Sequence, residues 1–492
     1  MPAPTLNREI LRLAVPALGA LIAEPMFLIV DSALVGHLGV VPLAGLGIAS
    51  AVLQTIVGLM VFLAYSTTPA VARRFGAGDH TSAVRAGVDG LWLALGLGAV
   101  LAVVVLSVTA VGGFYVWNVA QTLDDNGVAI GDEESLPPSI GEIEGGVNML
   151  IVGTDSCEGQ DLKLFPRCAN DDGGERNDVT MLVHISDEPR RVTVVSFPRD
   201  MIVPIPECTG EDGTTYGAMN AQMINTSYMY GGLACSVATV EELTGVDIQF
   251  AAAMRWTGVI NMSDAIGGVD VCVSGDIKDS HTGLDLEEGE HTLVGAEALQ
   301  FLRIRHGIGD NSDLGRISNQ QQFMSSMVRK LQSGGVLADP ATLLHFANTA
   351  INQVSTQQIV LSSSLANPTR MVQIAMAVKD VEYKDIVFVQ YPTEYAPGGS
   401  RVLPITYAAD ALFEALEQNV PLNLTGDVSG GYGVEKVGEA EGEGGDSTAT
   451  PTPDATGTPS PDATADADDE SVDLPSEISG QTAADVTCTV AG

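Results

Sequence analysis

Residues 298–322 read ALQFLRIRHGIGDNSDLGRISNQQQ, and two helical periods meet inside them. Residues 296–304 and 315–331 each carry apolar side chains at 3.6-residue spacing. Arg303 and Arg305 are two apart, so on a continuous helix they would diverge. A first helix ending near Ile304 lets both reach one site. Arg316 and Gln320 are four apart and share one face of the second helix. Working outward, the apolar runs 147–152, 179–185, 191–197 and 385–391 predict strands, and 237–243 and 408–418 predict further helices. The alternation is that of a mixed α/β domain over residues 147–425.

The rest of the 492-residue chain is segmented. Its 23 Lys and Arg face 62 Asp and Glu, a formal charge of −39, which excludes a nucleic-acid binder with its basic footprint. Mean hydropathy is nevertheless +0.21. The two properties therefore belong to different stretches. Residues 1–118 hold long apolar runs at 10–34, 41–65 and 88–117, each near the ~20 residues that cross a bilayer as a helix. Arg8 and Arg12 precede the first run and Arg73, Arg74 and Arg85 separate the second from the third, so the N-terminus is expected in the cytoplasm. Three spans then deliver everything after Asn118 outside the cell membrane. Residues 119–146 read as a juxtamembrane stalk. Residues 426–492 are acidic and rich in Thr, Pro, Asp and Gly, the composition of a disordered tail.

All six cysteines fall on the exported side, where an oxidising setting favours disulfides. Cys157 with Cys168 and Cys208 with Cys235 are local pairings, leaving Cys272 for Cys488, although six cysteines allow fifteen pairings. A zinc site is the alternative, without a C-x-x-C or H-x-x-x-H spacing to support it.

The chemistry-bearing residues lie at strand and helix ends. Asp155 closes a predicted strand, Arg176 and Asp178 open the next, and Arg199-Asp200 follow a third. With Arg303, Arg305, Asp313, Arg316 and Gln320 they give many arginines in an acidic domain, which calls for an anionic partner. A guanidinium fork binds phosphate oxygens bidentately, and two carboxylates hold a hard cation on a diphosphate. The residues themselves point to pyrophosphate binding and transfer. Asp200, beside Arg199, reads as an orienting partner.

Residues 148–155, 176–185, 196–200, 224–232 and 298–321 together resemble the LytR-CpsA-Psr family of cell-wall ligases. The resemblance covers roughly residues 146–421. It implies an α/β/α sandwich around a pocket for a polyprenyl chain. The implied activity is a membrane-anchored phosphotransferase that moves a glycan polymer from a polyprenyl-diphosphate carrier to peptidoglycan, with Mg²⁺ on the diphosphate and pyrophosphatase activity as an extra. By matching motif, Asp155 and Asp178 resemble the metal-binding acids. Arg176, Arg199, Arg303, Arg305 and Arg316 with Gln320 resemble the diphosphate set, and Asp313 a supporting acid or proton acceptor. Arg199, Arg303, Arg305 and Asp313 are the candidate catalytic residues. Asn319 departs from the pattern, standing where members often carry a basic residue.

Residues 8–101 resemble something else. Glu24-Pro25, Asp31-Ser32, VGHLG at 35–39, LAGLG at 43–47 and TTPAVARRFGAG at 67–78 look like the start of a multidrug and toxic-compound extrusion (MATE) transporter. That family uses twelve spans around a central cavity, and about three are expected here, so the chain reads as a fusion by origin or a gene-model joint with its seam near 100–108. Two further readings stay open. One is a truncated efflux transporter, and the other is a module that binds polyprenyl lipid or wall polymer without turnover. His306 with Asp310 and Ser312 suggests a hydrolase triad, but the three are local in sequence and no nucleophile elbow accompanies them.

Overall fold

Asn177–Ile185 shows how the domain is layered: Leu182 points into one apolar cluster, while its neighbours Met181, Val183 and Ile185 point into another on the opposite face. Side chains alternate across a strand, so a strand buried on both sides must lie between two layers. The computed structural model describes residues 66–130, 146–170, 174–210, 213–309, 311–332, 340–399, 401–428, 433–440 and 471–492, with further positions at 50, 54–55, 58 and 61.

The chain divides into two compact units, Met1–Phe114 and Tyr115–Gly492. Helix α1, His80–Asp125, contains the third predicted span and is long and apolar enough to cross a membrane. The spans expected at 10–34 and 41–65 lie outside the described residues, apart from single positions in the second. The stalk expected from 119 to 146 is corrected in its first part. Val119 and Leu123, four apart on the end of α1, are buried in the domain's core, and β1 (Gly127–Val128) joins its sheet; residues 131–145 lie outside the description.

Within the second unit the main strands are β2 (Val147–Thr154), β3 (Asn177–Ile185), β4 (Val192–Phe197), β5 (Phe250–Met254), β6 (Val269–Val273), β7 (Gly289–Leu293), β8 (Ile359–Ser362), β9 (Ile386–Gln390), β10 (Val434–Glu439), β11 (Gly480–Thr482) and β12 (Asp485–Thr489). The helices that matter are α2 (Ser227–Thr244), α3 (Trp256–Ala265), α4 (Gly295–Arg303), α5 (Asp313–Gln332), α6 (Pro340–Ser355), α7 (Pro368–Val378) and α8 (Thr406–Glu417). An eight-stranded mixed sheet runs β1-β8-β5-β2-β3-β4-β9-β11. Val237 and Val240 of α2 and Leu412 and Leu416 of α8 cover one face. Ile351 of α6, Met371 and Ile374 of α7 and Val328 of α5 cover the other. The α/β/α sandwich is therefore present. A four-stranded sheet, β7-β6-β12-β10, packs Val269, Val271 and Val273 against Phe301 of α4 and Phe323 of α5.

Two local features carry weight later. Inside α2 the backbone breaks at Gly231 and Gly232, the latter at φ 61 and ψ −148, a region open essentially to glycine alone. A Cβ on Gly231 would stand 2.7 Å from the Cβ of Cys235 and 3.0 Å from that of Cys208, so the kink lets the helix close on the Cys208–Cys235 disulfide. The other bridges are Cys157–Cys168 and Cys272–Cys488, as the sequence spacing suggested.

The disordered tail expected over 426–492 is also corrected. Residues 434–439, 480–482 and 485–489 are strands; β12 lies between β6 and β10, and β11 pairs with β9. Leu474, Ile478, Ala483 and Cys488 are all buried. Composition misled because this segment does not build a core of its own. It adds strands to sheets that the preceding domain already offers. The Thr/Pro/Asp-rich stretch 448–469 lies outside the described residues.

Candidate functional site

One end of the large sheet gathers the candidate residues, because β2, β4 and β5 finish there and the antiparallel β3 starts there. Thr154 pairs with Asn177 at this last rung. Immediately beyond it, the Asp155 N–H donates to the Arg176 carbonyl at 3.1 Å, and the Arg176 N–H donates to Asp155 Oδ1 at 2.8 Å. The Arg176 side chain is exposed. After β4 the chain turns at Pro198–Met201, closed by the Met201 N–H on the Pro198 carbonyl. The turn presents Arg199, whose Nη1 donates to Asp178 Oδ1 at 2.5 Å.

Asp313 ties this edge to the helices. It is the first residue of α5, where the helix N-terminus favours negative charge. Its Oδ1 meets Arg305 Nη2, lies 2.7 Å from Arg316 Nη2 and 3.6 Å from Arg199 Nε. Asp200 adds longer contacts, 3.8 Å to Arg199 and 3.6 Å to Arg305. Arg316 is buried and also donates to the backbone carbonyl of Asp178 at 3.0 Å. Three arginines thus converge on three acids. Burial pushes the Asp313 carboxyl up, but the guanidiniums of Arg316, Arg305 and Arg199 outweigh it and hold the pKa below the usual carboxylate value. For Arg199 burial opposes the charge, while Asp178, Asp313 and Asp200 more than offset it and raise the pKa. Among the described residues, Nε of Arg199, Arg305 and Arg316 and Oδ2 of Asp313 are buried with no hydrogen-bond partner. Buried donors left unpaired are costly, so a site that holds three of them is arranged for an incoming acceptor.

The structure departs from the sequence expectations at two positions. The Arg303 guanidinium lies 4.5 Å above the Trp256 ring, and among the described residues no ion pair joins it to Asp313, although α4 does end at Arg303 as expected. An extended residue, Ile304, separates the two arginines and turns them to different partners. Gln320 is buried, and its Nε2 donates to the Leu302 carbonyl at 2.9 Å, so it fastens the end of α4 rather than facing a ligand. Asn319 likewise turns inward, donating to the Phe301 carbonyl at 2.7 Å and accepting from Thr489 Oγ1 at 2.5 Å.

A second cluster was not foreseen. Arg255, directly after β5, grips Glu175 with Nε at 3.2 Å and Nη2 at 3.0 Å, reaches Glu158 at 3.0 Å and donates Nη1 to the Gln357 carbonyl at 3.0 Å. Thr154 Oγ1 donates to Glu175 at 2.5 Å, so the cluster abuts the Asp155 turn. The signal was present in the sequence: an arginine ending an apolar strand, and a glutamate beside Arg176. Next to it lies a largely polar cavity of about 420 Å³ lined by Glu158, Glu175, Tyr228, Arg255, Gln357 and Ile359. A larger hollow, about 1320 Å³, lies elsewhere, between α5, α6 and the four-stranded sheet, and holds none of the candidate residues.

The chemistry of the donors fits Mg²⁺ in a limited way. Asp155 and Asp178 flank one rung of the sheet and are hard oxygen donors, but among the described residues no three or more His, Cys, Asp or Glu are placed to hold a metal ion by themselves. Two carboxylates suit an ion that keeps waters and takes its remaining oxygens from a substrate phosphate.

The C-terminal residues brace this site from behind. Gln322 of α5 donates to the carbonyls of Cys272 and Thr487, each at 2.8 Å. Arg329 donates to the carbonyls of Ala483 and Asp485. The Gly309 N–H donates to Val490 and the Gly492 N–H to Gly307, which ties the loop between Arg305 and Asp313 to the last residues of the chain. A Cβ on Gly433 would meet the Gly315 backbone at 2.7 Å.

Known proteins place the chain further. A model of the LytR_cpsA_psr family matches residues 114–418, and one of MatE matches residues 16–111. The cell wall biosynthesis protein LcpA of Corynebacterium glutamicum is 28% identical over 232 residues, 43% of this chain and 45% of that protein. The probable cell wall biosynthesis protein LcpB of the same organism is 31% identical over 211 residues, 42% and 47% respectively. The polyisoprenyl-teichoic acid–peptidoglycan teichoic acid transferase TagU of Bacillus cereus is 28% identical over 232 residues, 44% and 66%. The chain spans about half the length of the first two of these relatives. The solved LytR-Csp2A-Psr enzyme from Actinomyces oris is 22% identical, covering 59% of this chain and 96% of that one with a TM-score of 0.43.

Proposed function

Because the family matches more than half of its length, the chain belongs to the LytR_cpsA_psr family, and from this premise we propose that it is a membrane-anchored phosphotransferase joining a polyprenyl-diphosphate-linked glycan to peptidoglycan. The observation that carries the reading is the Asp313 network, three convergent guanidiniums whose buried Nε donors make no hydrogen bond among the described residues. The name of the relative TagU states a polyisoprenyl-linked donor and a peptidoglycan acceptor, and supports the same substrate class here. The membrane helix α1 and the MatE-like residues before it would anchor the domain, with the N-terminus cytoplasmic and the catalytic domain on the wall side.

In this reading Arg199, Arg305 and Arg316 bind the diphosphate oxygens and Arg176 closes over them from the exposed rim. An acceptor sugar hydroxyl attacks the glycan-side phosphorus, and its proton passes to solvent water as the new oxygen–phosphorus bond forms. The bond from that phosphorus to the bridging oxygen breaks, and polyprenyl phosphate leaves. The guanidiniums offset the charge that develops on the leaving group. Asp313 serves as the fixed point that keeps the three arginines together; with its pKa lowered it is a poor proton acceptor. Mg²⁺ held by Asp155 and Asp178 would polarise the diphosphate. Gln320 acts beneath the site by fixing the end of α4.

The test uses the full chain in detergent with a short polyprenyl diphosphate, following phosphate release with Mg²⁺ and with a chelator. Release that requires Mg²⁺ and falls at least about 10²-fold in Arg305→Ala is expected, the usual loss for one preorganised charged donor. Release independent of Arg305 would remove the network from the reaction. Binding without release in the wild type would favour a non-catalytic lipid-binding module.

A further inference from the structure

A cavity of about 240 Å³ is lined by Phe165, Pro166, His281, Thr282, Gln300 and Arg303. It shares Arg303 with the end of α4, so in sequence only Ile304 separates its wall from Arg305 of the Asp313 network. Its aromatic side comes from the loop closed by Cys157–Cys168: Phe165 lies 4.7 Å from Trp256, centroid to centroid, and Trp256 in turn carries the Arg303 guanidinium. The opposite side is fixed by a buried acid. Asp279 Oδ1 lies 3.2 Å from His281 Nδ1, Asp279 Oδ2 accepts from Thr282 Oγ1 at 3.2 Å, and the His281 ring lies tilted against His306 with centroids 4.4 Å apart. With Nδ1 committed, the His281 Nε2 has no hydrogen-bond partner among the described residues, and neither has the Gln300 amide.

An aromatic wall, an amide able to donate and accept, a ring nitrogen and one guanidinium form a poor lipid pocket and, with a single cation, a poor diphosphate pocket. They suit a pyranose, whose C–H face packs on an aromatic ring while its hydroxyls and acetamido group take hydrogen bonds. The volume is below the ~300–1,000 Å³ of sites for drug-sized ligands, which limits the occupant to about one ring. We propose that this cavity is a saccharide subsite seating one N-acetylated pyranose beside the diphosphate site. The placement rests on the transferase reading above, and the sugar would belong either to the acceptor or to the donor glycan.

The experiment measures chitotetraose binding to the full chain in detergent by saturation-transfer NMR and calorimetry. Gln300→Ala and Phe165→Leu are each expected to weaken binding about tenfold, while phosphate release from an unglycosylated polyprenyl diphosphate stays at the wild-type rate. With a glycan-bearing donor and a peptidoglycan fragment, a raised KM for the fragment alone assigns the subsite to the acceptor, and a raised KM for the donor alone to the donor. Chitotetraose that fails to bind, or binds both variants as tightly as the wild type, overturns the subsite. Variant-sensitive binding in a protein that releases no phosphate would keep the subsite and overturn the transferase reading instead.

Discussion

Two ion clusters sit at the same end of the sheet and are built the opposite way round. At Asp313 one acid holds three arginines, and among the described residues their Nε atoms make no hydrogen bond. At Arg255 one arginine is held by two glutamates and a backbone carbonyl, and its fork is fully engaged. An acid at the centre gathers positive charge and leaves donors for a ligand. An arginine at the centre is saturated and closes a structure. Charged residues at a strand end therefore declare their role by which sign is shared.

The sharpest way to break the contrast is Asp313→Ala. Three arginines would lose their common partner, so turnover should fall by about 10²–10³ and stability by about 3–5 kcal/mol, as when one side of a buried pair is removed. Phosphate release with a denaturant melt reads both. Arg255→Leu should cost stability on the order of 3 kcal/mol yet leave turnover per folded molecule nearly unchanged. Equal losses of turnover in the two variants would erase the distinction.

Cys488→Ser sharpens the role of the C-terminal brace. The bridge to Cys272 spans 216 residues and holds β12 against β6. Its loss should lower stability by about 2–5 kcal/mol. Amide exchange at Gly309 should quicken before the β2–β3 ladder opens, because its hydrogen bond ends on Val490. Unchanged exchange there would detach the brace from the site.

The smallest effect is one of pH, and it lies away from both clusters. Burial holds His184 on β3 down at about 4, with Nδ1 on Asn148 Oδ1. The unfolded chain takes up this proton near pH 6.5 and the folded one only near 4, so stability falls as pH drops through that window and levels off below it. The loss is on the order of 3 kcal/mol. His184→Gln should flatten that slope in a urea titration between pH 7 and 4; a slope that persists would assign it to other groups.

Much of this was legible in the sequence. The strands at 147–154, 177–185, 192–197 and 386–390 stand out because they are apolar on both faces, and the pairing of cysteines followed from local spacing. Asp178, Arg199, Arg305, Asp313 and Arg316 were named because each closes or opens an element. The directions of side chains were not legible. One extended residue at Ile304 parts Arg303 from Arg305, and no periodicity reports that. Gln320 lies on a helix buried on several sides, so sharing a face with Arg316 did not mean facing the ligand. The C-terminal strands were hidden because their apolar residues are few and become useful only against a sheet formed 200 residues earlier.

The most direct measurement of the central claim is glycan transfer by the full chain from a polyprenyl-diphosphate donor to a peptidoglycan fragment, with Arg305→Ala and Arg255→Leu in parallel. Transfer that the first variant abolishes and the second retains per folded molecule is the expected result. Transfer that survives Arg305→Ala would contradict a reaction centred on the Asp313 network.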